Sequence, residues 1–342
     1  MREILITDPT LRDGSHANQH QFSVEQVRNY CRCAEVAGVP IVEVGHGNGL
    51  GASSLQVGLS LITDFDMIKA AREVLHKTKL GVFVIPGFAT INKDLKPAIE
   101  AGVDVVRVAA HCTEADVTER HINYAREKGK AAYGALMSSH MASKEVLIEE
   151  CRKMETYGAL GVILMDSAGY SLPVDVTDKI SALVQALSIP VGFHAHNNLS
   201  MAIANSLAAA EAGATILDGT ARGFGAGAGN TPIEVLIPVL HRMGFSTGID
   251  LYKILDASEY AEKELMSTCR PNIDSASIVS GLAGVFSAFK KHVLRISKEY
   301  KVDPRDVFFE LGKRKVVGGQ EDLIVEVAIE LSRNKTQPNM GR

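Results

Sequence analysis

Short apolar runs and longer amphipathic stretches alternate along the chain from residue 2 to about residue 243. The runs 3–7, 41–45, 80–85, 103–109, 131–137, 161–165, 190–194 and 215–218 have strand composition. Each is followed by a stretch with helical spacing of its apolar positions: 23–37, 64–76, 93–101, 114–128, 144–157, 173–187, 201–212 and 232–243. The strands read as continuous Val/Ile/Leu runs, as parallel strands covered on both faces do. Eight such units predict an α/β fold of the (β/α)8 TIM-barrel type. Ala37-Gly38, Ala101-Gly102, Tyr157-Gly158 and Ala212-Gly213 punctuate the ends of helices, where a left-handed glycine stops the helix before the next strand. An open doubly wound sheet could use the same signals, so the count of eight decides for the barrel.

After about Gly248 the texture changes to helical patterns at 251–266, 278–300, 304–311 and 322–333, with no comparable strand. The expected organisation is a catalytic barrel over 1–245 and a helical C-terminal domain over 246–342. Lys335 to Arg342, with Pro338 and Gly341, reads as a frayed tail.

Composition narrows the function classes. With 46% hydrophobic and 22% charged residues, the 342-residue chain can bury a large core and is neither disordered nor fibrous. A net charge of −4 with mixed signs gives no field for nucleic acid or an anionic membrane. Lys290-Lys291 and Lys313-Arg314-Lys315 read as solvated helix faces. There is neither the pattern of a signal peptide nor an apolar run of about 20 residues, so a soluble cytoplasmic protein is expected. The five scattered cysteines include no Cys-x-x-Cys pair and read as reduced thiols, with Cys112 beside His111 singled out for its place near a strand end.

A barrel carries its chemistry on the loops at the C-terminal strand ends. Those loops bear Arg12, Asp13 and His16, then Glu43, His46 and Asn48, then His111, Ser139, His140, Asp166, Ser167, His194, His196 and Asn197, and last the Gly-rich segment 223–230. His194 and His196 stand two residues apart, so both imidazoles leave one face of a strand and can reach one divalent metal. Two polar residues at a strand terminus are the bland alternative. Asp13, from a strand two places away in the closed ring, supplies an anionic ligand. Two nitrogens, one carboxylate and open positions suit Mn²⁺, Mg²⁺, Co²⁺ or Zn²⁺, leaning toward Mn²⁺ or Mg²⁺. Arg12 beside a metal ligand either makes a salt bridge inside the barrel or holds a substrate carboxylate or enolate oxygen. His16 is close enough to both to act as a base. The Gly223 to Asn230 segment has neither P-loop nor dinucleotide spacing; it predicts close backbone approach at the rim, with Asn230 capping the helix at Pro232.

The run Asp8 to Gly14, together with His194-Ala195-His196-Asn197 and the Asn230 loop, resembles the metal-dependent barrel lyases and synthases related to HMG-CoA lyase and isopropylmalate synthase. Arg12 to Ala17, Gly45 to Gly51, His111 to Asp116, Gly225 to Asn230 and Val317 to Asp322 are similar to the 4-hydroxy-2-oxovalerate aldolases within that group. The resemblance implies class II cleavage of a 4-hydroxy-2-oxo acid to pyruvate and an aldehyde, in the catabolism of aromatic hydrocarbons. It implies that Asp13, His194 and His196 bind the metal, with Mn²⁺ first, and that Arg12 stabilises the pyruvate enolate. His16 would take the proton of the C4 hydroxyl, while Ser167 and His194 would border the pyruvyl group. It also implies an acylating aldehyde dehydrogenase partner docked on 278–300, against which a helical cap or a homo-oligomer contact stands as the alternative. One departure is clear: Gly281-Leu282-Ala283-Gly284-Val285-Phe286 replaces the family's Gly-Tyr-Ala-Gly-Val-Tyr. Phe286 has no hydroxyl to offer the aldehyde side of the substrate, so recognition there should be altered while the metal and enolate chemistry stays. A Claisen-type acyl-CoA synthase or lyase and a non-catalytic metal-binding partner subunit are the competing readings.

Overall fold

The computed structural model describes residues 2–267 and 269–336. Eight parallel strands form a closed barrel in chain order: β1 (Leu5–Leu11), β2 (Ile41–Val44), β3 (Lys79–Val84), β4 (Val105–His111), β5 (Ala131–Met137), β6 (Val162–Asp166), β7 (Val191–Ala195) and β8 (Ile216–Asp218). β8 closes the ring on β1, pairing Ile216 with Leu5 and Asp218 with Thr7. The (β/α)8 architecture expected from the apolar pattern is therefore the fold.

The outer layer is α1 (Val24–Ala37), α2 (Asp64–Arg72), α3 (Lys96–Glu100), α4 (Glu119–Glu127), α5 (Lys144–Thr156), α6 (Pro173–Ala186), α7 (Ala202–Glu211) and α8 (Ile233–Arg242). Local chemistry starts and stops them. Ser23 and Thr63 close capping boxes with Gln26 and Asp66, satisfying amide groups that would otherwise be orphaned. Gly38, Gly102, Gly158 and Gly213 all adopt positive φ where the sequence places helix ends. Inside the ring, Phe83, Ala109, Ala135, Ile163, Met165 and Ile216 pack together, so the interior is a filled core and not a pore.

The C-terminal helices are α9 (Leu251–Glu264), α10 (Ser275–Leu282), α11 (Lys290–Tyr300), α12 (Pro304–Lys313) and α13 (Asp322–Thr336). Ile254, Ala257 and Ala261 of α9 join the barrel's own core, whereas Phe289, Val293, Phe308, Leu311, Ile324 and Val327 form a second core among α10 to α13. Among the described residues no helix is long and apolar enough to cross a membrane.

Four expectations are corrected. First, β1 does not stop at Thr7: it runs to Leu11, because Asp8 and Thr10 are buried and bonded instead of looping out. Tyr30 of α1 donates to Asp8 Oδ2 at 2.5 Å, Thr10 N donates to Asp8 Oδ1 at 2.9 Å, and Ala221 N donates to Thr10 Oγ1 at 2.8 Å. Second, a two-residue strand, Arg2–Glu3, pairs with Phe245–Ser246 outside the barrel. Third, the single helix expected over 278–300 is broken. It ends at Leu282, Gly284 takes a left-handed φ of 67°, and one turn at Ser287–Phe289 precedes α11. Fourth, Lys290 and Lys291 do not merely face solvent: Lys290 Nζ pairs with Asp274 at 2.9 Å, and Lys291 Nζ donates to the carbonyls of His16 and Ala17 at 2.8 and 2.9 Å. Residues 335 and 336 continue α13, and the rest of the expected frayed tail lies outside the described residues.

Candidate active site

The first loop turns sharply at the mouth: Arg12 N and Asp13 N both donate to Pro9 O, at 3.0 and 2.8 Å, and a short helix follows at Gly14–Ala17. The turn aims two consecutive side chains into the barrel. Arg12 is 3% and Asp13 2% exposed. Gly14 is required because the Phe224 ring lies where its Cβ would be, 2.5 Å away.

β7 delivers His194 and His196 to the same point. His194 Nε2 stands 3.4 Å from His196 Nε2 and 3.6 Å from Asp13 Oδ2, and His196 Nε2 is 3.7 Å from Asp13 Oδ2. Among the described residues these three are the group able to hold a metal ion, and all are buried. Donor atoms spaced this way leave room for a cation at ordinary bond lengths of about 2.1 Å. His194 Nδ1 meets Asp218 Oδ2 at 2.8 Å, the carboxylate–imidazole support expected behind a metal ligand. Burial alone would raise the Asp13 carboxyl, but His196, Arg12 and His194 outweigh it and hold Asp13 well below the usual carboxylate range. Burial lowers His194 as well, yet its bonds to Asp13 and Asp218 leave it raised overall. His196 is carried down to about 4, by burial against the pull of Asp13.

Arg12 makes the salt bridge weighed for it. Its Nε faces Glu43 Oε2 at 3.3 Å, its Nη1 faces Asp13 Oδ1 at 3.4 Å, and its guanidinium lies over the Phe83 ring at 4.3 Å. Its Nη2 is buried with no partner, and an unpaired buried donor is costly unless a ligand completes it. Asn230 Oδ1 is also unpartnered, while Asn230 Nδ2 donates to Asp13 Oδ2 at 2.5 Å. The expected cap is thereby corrected: α8 begins after Pro232 with no side-chain cap, and Asn230 turns inward instead. The close backbone approach foreseen for this segment is present, since a Cβ on Gly225 would stand 2.7 Å from the Asn230 side chain.

His16 sits at the edge of the cluster, its Nε2 4.0 Å from Asp13 Oδ1, and lines a cavity of about 380 Å³. Burial presses its imidazole down to about 3, against the opposing pull of Asp13. A neutral ring can accept a proton. The cavity runs from His16 past Ile85, Met137 and Ser138 to Phe286, Phe289 and His292, so the broken stretch between α10 and α11 forms its far wall. Ser167 is buried beside it. Ser138 N, on the cavity wall, donates to Ser167 Oγ at 3.0 Å.

Other polar residues of the loops hold the mouth together. His46 Nε2 meets Gly58 O at 3.1 Å, Asp166 accepts from Tyr170 N and Ser171 N, Asn197 Oδ1 accepts from Ala202 N, and His140 Nε2 meets Gly284 O at 2.9 Å. Ser139 O accepts from Lys179 at 2.8 Å. Asn48 and His111 line the cavity. Cys112 is fully buried and its thiol is pushed up to about 11 by burial, which removes it as a nucleophile. Among the described residues no disulfide joins any of the five cysteines.

Sequence reasoning missed Arg107 and gave Asp218 and Glu43 no role. A charge inside a Val-rich buried strand, as in Val105-Val106-Arg107-Val108, was the available signal.

Residues 3–260 match the family described as HMGL-like, and residues 271–333 match the DmpG-like communication domain. A Spirochaeta aurantia protein named 4-hydroxy-2-oxovalerate aldolase is 61% identical over 96% of this chain and 96% of its own length. One of the same name from Pectobacterium atrosepticum is 58% identical over 100% of this chain and 99% of its own. Among solved structures, the carboxyl transferase domain from Rhizobium etli pyruvate carboxylase superposes with a TM-score of 0.81 at 16% identity, over 98% of this chain and 61% of that one. The N-terminal domain of a putative aldolase from Bacteroides vulgatus gives 0.73 at 21% identity, over 86% and 98%. At such identities the structural likeness speaks for the fold alone.

Proposed function

The chain belongs to the HMGL-like family, and from that premise we propose that it is a class II pyruvate aldolase, cleaving a 4-hydroxy-2-oxo acid such as 4-hydroxy-2-oxopentanoate to pyruvate and an aldehyde. It is a carbon–carbon lyase. The observation that carries the mechanism is the convergence of Asp13, His194 and His196 beside the unpartnered Arg12 Nη2 and the cavity-facing His16.

Asp13, His194 and His196 would hold the divalent cation, with Mn²⁺ first and Mg²⁺, Co²⁺ or Zn²⁺ as alternatives. A cation bound there would supply Lewis-acid polarisation of the 2-oxo group, the chemistry that lets cleavage leave an enolate instead of a bare carbanion. Arg12 directs Nη2 at that enolate oxygen, where a fixed donor in a water-poor site counts most. His16, neutral and facing the cavity, takes the proton of the C4 hydroxyl as the carbon–carbon bond breaks. Ser167 donates its hydroxyl to the pyruvyl carboxylate, and His194 borders the same group. The aldehyde leaves along the apolar wall of Phe286 and Phe289. Phe286 offers that side of the substrate contact area without a hydrogen bond, which alters aldehyde recognition.

The C-terminal helices match a communication domain, which supports pairing with a dehydrogenase. The acylating aldehyde dehydrogenase, and the setting in aromatic catabolism, belong to this proposal.

The test is pyruvate release from 4-hydroxy-2-oxopentanoate, expected to vanish on chelation and to return with Mn²⁺. Acetyl-CoA-dependent condensation without pyruvate release would instead identify a Claisen-type enzyme. No turnover of any 2-oxo acid, with Mn²⁺ bound, would leave a metal-binding subunit.

A further inference from the structure

Beneath the metal cluster lies a row of charges that the reaction does not use directly. Arg107 projects from β4 into the barrel and is 3% exposed. Its Nε faces Glu43 Oε1 at 2.9 Å, and its Nη1 and Nη2 both bond Asp218, the second at 3.1 Å. The two carboxylates it joins have their other contacts in different parts of the site. Glu43 Oε2 faces Arg12 Nε at 3.3 Å, and Asp218 Oδ2 faces His194 Nδ1 at 2.8 Å. Glu43, on β2, is 1% exposed, and Asp218, on β8, is 2% exposed.

We propose that Arg107 is a positioning residue that locks the enolate-holding arginine and the metal-holding histidine into one geometry, through Glu43 on one side and Asp218 on the other. The proposal rests on the roles given above to Arg12 and to Asp13, His194 and His196. Signs alternate along Arg12, Glu43, Arg107 and Asp218, His194 Nδ1 meets the last of these, and Asp13 closes the circuit, 3.4 Å from Arg12 and 3.6 Å from His194. A buried carboxylate is tolerable only when paired, and here each is paired twice. A planar guanidinium with donors on two edges fixes the two carboxylates relative to each other, which a single ammonium on a flexible stem cannot do. β2 and β8 flank β1, so Arg107 reaches across the barrel to brace the two strands on either side of the Arg12–Asp13 loop.

The test uses the full chain with three substitutions, Arg107→Lys, Glu43→Gln and Asp218→Asn, and two readouts. The first is Mn²⁺ affinity of metal-free protein, by electron paramagnetic resonance titration. The second is solvent deuterium exchange into the methyl group of pyruvate at saturating Mn²⁺, which reports enolate formation without an aldehyde. Asp218→Asn should weaken Mn²⁺ binding about 10- to 100-fold, as loss of an imidazole's supporting carboxylate does. Glu43→Gln should leave Mn²⁺ affinity within about threefold and slow exchange about tenfold or more, the cost of a disturbed oxyanion donor. Arg107→Lys should do both. Loss of one readout alone, or of neither, overturns the proposal. If Arg107→Lys fails to fold by circular dichroism, the Glu43→Gln/Asp218→Asn pair decides: these residues meet through Arg107, so their effects on exchange should depart from additivity by threefold or more. Additive effects overturn the proposal. An unsubstituted protein that takes up no Mn²⁺ overturns it together with the metal-site reading, whereas Mn²⁺ uptake with normal exchange and additive variants overturns the Arg107 proposal alone.

Discussion

At the level of single residues, the His16 ring has been given its place by a missing side chain. A Cβ on Gly47 would fall 2.5 Å from the His16 ring. The obstacle is the tip of a side chain and not backbone, so Gly47→Ala should fold and push the imidazole aside. We expect kcat to fall by about tenfold or more, as for loss of a positioned base, with unchanged Mn²⁺ affinity. Wild-type kcat in Gly47→Ala would show that His16 is not the base. Phe286→Tyr places a hydroxyl on the cavity wall and should shift preference among aldehydes in pyruvate-dependent aldol addition, leaving pyruvate methyl exchange unaltered. Equal aldehyde preference in the two proteins would remove position 286 from substrate recognition. Arg12, Asp13, His194 and His196 are legible in the chain because each sits beside a partner in sequence or two residues from one. Arg107, Asp218 and Asn230 are not, because their contacts form only when β4, β8 and the last loop are brought to the first by closure of the ring. The same closure turned Asn230 from an expected cap into a partner of Asp13.

Among elements, the eight strands were readable because parallel strands buried on both faces leave uninterrupted apolar runs, and several helix ends because glycine takes the left-handed turn at least cost. What periodicity could not show is the break after Leu282. The apolar spacing continues across 283–289, yet tertiary bonds win over propensity there. Gly284 O is taken by His140, Ser287 N donates to Ser167 O at 2.9 Å, and Ser287 Oγ donates to Asn198 Oδ1 at 3.1 Å. Lys291 completes this strap by gripping the carbonyls at the end of the Gly14–Ala17 helix, a cation at a negative helix end. Lys291→Met should cost about 1 kcal/mol of stability and lower kcat severalfold while Mn²⁺ affinity holds. Unchanged turnover in that variant would show that the strap is mere packing.

For the molecule as a whole, acid sensitivity follows from histidines kept neutral by burial away from the metal cluster. Burial takes His20 down to about 2, and His46 and His140 to about 4. His20 and His46 are stacked with ring centroids 3.6 Å apart, so protonating both would set two like charges face to face. Each of these three has a native pKa below its unfolded value, so unfolding takes up protons: their stabilisation is complete above about pH 6.5 and is lost as pH falls toward 4. Asp8 and Asp166 work in the opposite sense, since burial lifts both to about 6 and their protonation below that value relieves a cost. The three histidines outweigh the two acids, so stability falls between pH 7 and pH 5. Tm should fall by several degrees over that range, and His20→Gln should flatten the slope. A Tm independent of pH between 7 and 5 would refute the assignment. The strap adds a mechanical consequence. Segment 284–291 is anchored at one end in the core of α10 to α13 and at the other on the loop that carries Arg12, Asp13 and His16, so it acts as a lever whose short arm ends on the reacting groups. Because Lys291 bonds the carbonyl of His16, a shift of α11 would pull on the backbone that carries that imidazole.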